Sequence, residues 1–208
     1  DVSGSNEFGP KRQLKEEMMT EIAAVLAFSA LHNNDKVGVI FFSDRIEKFI
    51  PPKKGTSHIL RIIRELIDFK PQSQKTDISE ALRFLTNGIK KRCISFLISD
   101  FIDKEFEPAL KIASRKHDLV ALRIFDEREK DIPSMGLVKA FNKETGKFIW
   151  IDTGDRSVRR NYKDWWNKRD RFLESTFKKN GVDNASISTG QDYVQPLMGL
   201  FKRREARF

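Results

Sequence analysis

Two stretches constrain what this chain can fold into more than any others. "CISFLISDF", from Cys93, and "DLVALRIFD", from Asp118 to Asp126, are largely apolar, of strand length, and reach an aspartate at their C-terminal ends. A strand buried on both faces reads this way, and such strands belong to parallel sheets covered by helices on each side. Between them, "EPALKIASRKH" reads as a helix. Helical spacing also recurs upstream, at Leu14, Met18, Ile22, Val25, Leu26 and Ala30. "TSHILRIIRELIDF", with Thr56 or Ser57 as its cap, and "KTDISEALRFLTNG" are two further helices. "KVGVIFFS" and "RIEKFIP" flank a short "SDR" and predict a hairpin. This alternation predicts an α/β fold, a doubly wound and mostly parallel sheet.

The texture changes after Pro133. "GLVKAFNKETGKFIWIDT" predicts a second hairpin with Gly146 available at its turn. A long helix follows, marked by Val158, Tyr162, Trp165, Trp166, Phe172, Leu173 and Phe177 and ended by Asn180 and Gly181. "NASIST" is a last strand and "QPLMGLFKRR" a last amphipathic helix. The expected organisation is therefore an α/β domain over residues 1–130 and an α+β extension over 131–208 packed on the same sheet.

Composition excludes several classes. Cys93 is the single cysteine, so there is no disulfide framework and no thiolate metal cluster. No apolar run approaches the roughly 20 residues of a spanning helix. A reducing, cytoplasmic setting is expected, with an upstream membrane anchor left open. The 39 Lys and Arg against 30 Asp and Glu give a net charge of +9, concentrated in "RSVRRNYKDWWNKRDRF" and "FKRREARF". Aromatic residues among arginines are a pattern of single-strand nucleic-acid binding. The helical spacing of Trp165, Trp166 and Phe172 instead assigns them to a core, and a solvated basic face is the expected reading of the rest. His32, His58 and His117 lie on different predicted elements and form no ligand set.

Oxygen donors are placed differently. "DVSGS" at residues 1–5 leads into the first helix, Thr76 stands before the third, and Asp100 ends a buried strand. In a doubly wound sheet the loops after strand C-termini converge where ligands bind. Asp1, Ser3, Ser5, Thr76 and Asp100 offer oxygen alone. That donor set favours Mg²⁺, with Mn²⁺ or Ca²⁺ as alternatives, over zinc or copper. Each residue taken singly also fits ordinary turn or cap chemistry.

At these residues the chain resembles the metal-ion-dependent adhesion site of von Willebrand factor A domains: Asp-x-Ser-x-Ser, a distant Thr, and an Asp ending a later strand. "IFDEREKDIPSMGLVKAFNKETGKFIWIDT" and the closing "FKRR" further resemble the bacterial family named domain of unknown function 58. In that family a von Willebrand A-like domain carries a C-terminal extension and is commonly encoded beside a MoxR-type AAA+ ATPase. The resemblance implies a non-enzymatic, metal-dependent interaction module. Its metal would be held by Asp1, Ser3, Ser5, Thr76 and Asp100 and would take an Asp or Glu from a protein partner, here a MoxR-type ATPase. Neither nucleic acid nor membrane contact is implied. Two departures stand out. Asn6 occupies the usual Met position, and the hydrophobic strand that normally precedes the first Asp is absent from these residues. The natural protein is therefore expected to extend upstream, its first central strand missing here.

The competing class is a Mg²⁺-dependent enzyme acting on phosphate esters or nucleic acid, since such enzymes also place Asp at a strand end. Against it, the position two residues after Asp1 holds Ser3 rather than a second carboxylate. No phosphate-binding glycine loop or nucleophile elbow occurs either.

Overall fold

A computed structural model describes residues 1–3, 10–103, 105–142 and 147–207. The element order is α1 (Pro10–His32), β1 (Val37–Phe42), β2 (Ile46–Lys53), α2 (Thr56–Asp68), α3 (Ile78–Gly88), β3 (Ile94–Ser99), α4 (Glu107–Lys116), β4 (Asp118–Phe125), a 3-10 turn at Glu127–Glu129, β5 (Leu137–Asn142), β6 (Lys147–Asp152), α5 (Arg156–Lys179), β7 (Asp183–Ser188) and α6 (Val194–Glu205).

The two apolar runs are parallel neighbours, β3 and β4, with Ile94 opposite Asp118 and Ser99 opposite Arg123. β7 adds to the other side of β4, also parallel, so the order is β3-β4-β7. β4 is buried along nearly its whole length, as its composition requires. Because side chains alternate across a strand, Val120, Leu122 and Ile124 face one core, which Ile22 of α1 and Leu197 and Leu200 of α6 complete. Leu119 and Ala121 face the other, with Leu82 of α3, Leu110 of α4, and Leu173 and Phe177 of α5. Each fully buried aliphatic side chain of this kind contributes about 1.5–3 kcal/mol.

Among the described residues the strands fall into three separate sheets, one parallel and two antiparallel. β1 and β2 pair antiparallel as a separate ribbon, and β5 and β6 form a third. Between β1 and β3 runs a cleft of about 1810 Å³, lined by Val39 and Phe41 on one side and Phe96 and Ile98 on the other. Hydrogen bonds bridge it at one end: Val2 N–H donates to the Phe42 carbonyl at 2.8 Å, and the Asp1 amine donates to the Ile98 carbonyl at 3.0 Å. Residues 1 and 2 thus lie where a strand between β1 and β3 would end.

Two local expectations change. Neither Thr56 nor Ser57 caps α2. Gly55 is its N-cap, at φ 103°, with no side-chain cap bond, and both residues belong to the first turn. The α5 face is only partly core: Trp166, Leu173 and Phe177 are buried, whereas Trp165 and Phe172 are 46% and 40% exposed. Gly146 and its turn lie outside the described residues. No helix among the described residues is long and apolar enough to cross a membrane.

The closing basic segment is tied inward. Arg204 pairs with Asp118 at 2.5 Å and with Asp183 at 2.7 Å, and Arg207 reaches Asp183 at 2.6 Å. These arginines pin α6 to the N-terminal ends of β4 and β7.

Two tests follow from the ribbon and the cleft. Gly38 lies against β2, where an added Cβ would come within 2.8 Å of the Ile50 carbonyl and 2.9 Å of the Pro52 nitrogen. Backbone cannot yield as a side-chain tip can, so Gly38→Ala should cost about 1–3 kcal/mol in denaturant unfolding. A six-residue β-branched segment fused ahead of Asp1 should raise Tm by about 5 °C or more, as burial of several apolar side chains predicts. An unchanged or lower Tm would show that the cleft does not accept a strand.

Candidate functional site

The C-terminal ends of β1 and β3 bring the first residues of the chain against two loops. Ser3 donates to Asp1 Oδ1 twice, from its N–H at 2.9 Å and from its hydroxyl at 2.5 Å. Ser3 Oγ also lies 2.6 Å from Thr76 Oγ1. Thr76 is held in place by its neighbour: Asp77 N–H donates to the Ser43 carbonyl at 2.9 Å, and the Asp77 carboxylate accepts from Glu80 N–H to cap α3. Asp77 is therefore a helix cap, as its position before the helix implies.

Asp100 follows β3 directly. Its Oδ1 accepts from Ile102 N–H at 2.9 Å, and its Oδ2 lies 3.6 Å from the Lys15 ammonium. The chain reverses at Phe101, which sits at φ 55° and is fully buried. A bulky residue in the left-handed region is strained, and the packing of its ring against Phe106 and Phe177 holds it there. A cavity of about 30 Å³, roughly the share of one water in the liquid, is lined by Asp1, Val2, Ser3, Asp100, Lys15, Glu16 and Met19. Of the five sequence-predicted residues, Asp1, Ser3 and Thr76 form one hydrogen-bonded row, and Asp100 lines the same cavity as Asp1 and Ser3. Ser5 lies outside the described residues.

Three contributors escaped sequence reasoning. Ser99, fully buried, donates its hydroxyl to Asp1 Oδ2 and accepts from Phe101 N–H at 3.0 Å. Its signal was a hydroxyl inside an apolar run, one residue before Asp100. Asp103 accepts from Ile78 N–H at 2.7 Å and so fastens the Asp100 loop to α3. Lys15 is 4% exposed and bonds Glu129 at 2.6 Å as well as facing Asp100. Nothing in the helical pattern distinguished it from a solvent-facing lysine.

The donor chemistry suits a small hard cation. Two carboxylates and neutral hydroxyls, with room for water, are what Mg²⁺ accepts. Among the described residues no group of three or more His, Cys, Asp or Glu side chains gathers together.

Around this row the electrostatics are cationic. Arg169 of α5 approaches the Asp100 carbonyl at 3.5 Å, and burial, together with Arg123, pulls its guanidinium down to about 10, against the opposing pull of Asp100. Arg123, 6% exposed on β4, pairs with Asp170 at 2.7 Å and stacks on Phe125 and Trp166. Asp126 at the end of β4 is almost fully buried, and hydrogen bonds from Arg128 hold its carboxyl far below the usual carboxylate range. At the opposite end of β3, His117 meets Cys93 at 3.4 Å, a pairing that sequence separation concealed. Burial lowers the His117 pKa, which favours the neutral ring.

Residues 1–171 match the family described as "Protein of unknown function DUF58". The chain belongs to this family. Uncharacterized proteins of Mycobacterium tuberculosis and Mycobacterium bovis are each 24% identical over 150 residues, 70% of this chain and 47% of theirs. The chain thus spans about half the length of these relatives. Among solved structures, the conserved hypothetical protein BatB from Bacteroides thetaiotaomicron has a TM-score of 0.59 at 18% identity. That alignment covers 98% of this chain and 94% of the other. An aerotolerance-related membrane protein from Bacteroides fragilis gives 0.51 at 20% identity, over 79% of this chain and 83% of that one. These likenesses concern the fold.

The Asp126 geometry carries a pH prediction. Its folded pKa lies below the unfolded value of about 3.9, so its stabilisation is present above that pH and is lost as pH falls below it. Asp126→Asn should cost about 1–3 kcal/mol at neutral pH and flatten the acid limb of stability between about pH 4 and pH 2. Urea unfolding across that range reads both effects.

Proposed function

We propose that this DUF58 chain is a von Willebrand A-like, divalent-metal-dependent protein-binding module, with Mg²⁺ as its expected ion. The observation that carries the reading is the hydroxyl-carboxylate row Asp1–Ser3–Thr76, whose first two members share a cavity of about 30 Å³ with Asp100. Asp1, Ser3, Thr76 and Asp100 would hold the ion, with Ser5 as the fifth donor that the motif implies. A bound divalent cation supplies an electrophilic position that a carboxylate from a partner can fill.

The chain's own residues prepare that position. Ser99 and Ser3 fix the Asp1 carboxylate from both oxygens, so little rotamer freedom remains to be lost on binding. Ile102 N–H orients Asp100 in the same way. The reading assigns these oxygens to binding and to no bond-breaking step. A protein that presents Asp or Glu is the expected partner, and a MoxR-type AAA+ ATPase is the candidate that the family resemblance brings.

Calorimetric titration with Mg²⁺ and Mn²⁺ tests the reading. Saturable binding in the intact protein, reduced by at least about 100-fold in Asp100→Ala, is expected for loss of one of two charged ligands. Binding indifferent to Asp100→Ala, or none at all, would remove it and leave Asp1, Ser3 and Thr76 as helix-entry turn chemistry.

A further inference from the structure

A buried lysine inside a proposed cation site calls for explanation. Lys15 stands near the start of α1, its side chain 5% exposed, between the carboxylates of Asp100 (14% exposed) and Glu129 (9% exposed). Its ammonium lies 2.6 Å from Glu129 Oε1 and 3.6 Å from Asp100 Oδ2, and it lines the same small cavity as Asp1 and Ser3. An ammonium is a compact unit cation with three donors. Beside Asp100 it neutralises the charge that a divalent ion would use.

Glu129 is not a loose surface carboxylate. It closes the 3-10 turn after β4 through a capping box with Asp126, and its carbonyl accepts from the Tyr162 hydroxyl of α5 at 2.7 Å. The ammonium is thus shared between the candidate metal site and a turn held by the C-terminal helix.

Resting on the metal-binding reading above, we propose that Lys15 is a tethered internal cation that competes with the metal for Asp100, and that Glu129 sets the strength of this competition by holding the ammonium away. Metal entry shifts Lys15 fully onto Glu129. Metal leaving returns it to Asp100, so that the acidic site is never left without a counter-charge. Because Glu129 is anchored to α5, a partner that moves this helix alters metal affinity without touching a metal ligand. Lys15 acts here as a positioning residue, through Asp100.

The two substitutions at this pair carry opposite signs. Lys15→Met removes the competing charge and should tighten Mn²⁺ binding by about tenfold or more, as expected for one unit charge a few ångströms from the ion. Glu129→Gln hands the ammonium to Asp100 and should weaken binding by about tenfold. In the double variant the Glu129→Gln effect should shrink to about twofold, because it acts through Lys15.

Isothermal calorimetry with Mn²⁺ on wild type, both single variants, the double variant and Asp100→Ala decides the matter, with thermal unfolding run alongside. The opposed shifts and their non-additivity would establish the competition. If Lys15→Met fails to fold, Glu129→Gln alone must still weaken binding, or the proposal falls. Were Asp100→Ala to abolish binding while Lys15→Met lowered Tm and left Kd unmoved, Lys15 would be a structural ion pair and the metal reading would survive. No binding in wild type or in Lys15→Met would overturn both.

Discussion

Two hydrogen bonds tie the first two residues to the strands on either side of them. Val2 donates to the last carbonyl of β1, and the Asp1 amine donates to the Ile98 carbonyl of β3. Beyond these bonds a large cleft runs between β1 and β3, while Phe42 of the ribbon joins the core that holds Leu97 of β3. The same two residues that bridge this gap carry the first carboxylate of the candidate site. The position of Asp1 is therefore inseparable from the relation between β1 and β3. A backbone polar group in such a place must find a partner, and the partners it finds set the aim of the side chain.

From that anchor the site assembles by shared hydrogen bonds rather than by packing. Ser3 connects Asp1 to Thr76, Ser99 supports the other Asp1 oxygen, and Asp103 fastens the loop of Asp100 to the start of α3. Of these side chains Ser99 is the fully buried one, and its hydroxyl is satisfied both as donor and as acceptor, as burial demands. The charges follow the same rule at longer range. Lys15 answers Asp100 and Glu129, Arg123 answers Asp170, and Arg204 answers Asp118 and Asp183. Near the C-terminus Arg204 and Arg207 are both paired in this way.

How far the site could be read in advance depended on the kind of signal. Asp1, Ser3, Thr76 and Asp100 were legible because side-chain type and the strand-end position of Asp100 coincide in order along the chain. Ser99 and Asp103 flank Asp100 in sequence yet looked like strand and loop polarity, since only their partners reveal their purpose. Lys15 was invisible, because a lysine on a helix is normally solvated and its burial here is imposed by Glu129, which lies 114 residues away. Cys93 and His117 were likewise separated by 24 residues and met only when β3 and β4 came together. Trp165 and Trp166 show the limit of helical spacing: neighbours on a helix point about 100° apart, and Trp166 is buried while Trp165 is half exposed.

By itself the sequence determined the elements and their character. Continuous apolar runs had to become buried strands, and amphipathic runs had to become helices. Those outcomes rest on local periodicity and on the chemistry of individual side chains, both written in neighbouring residues. Tertiary structure alone decided which strands pair, that α6 is pinned by Arg204, and that an ammonium sits beside Asp100. Such choices depend on contacts between residues far apart in the chain, where burial and charge pairing are settled jointly and no short stretch holds the information.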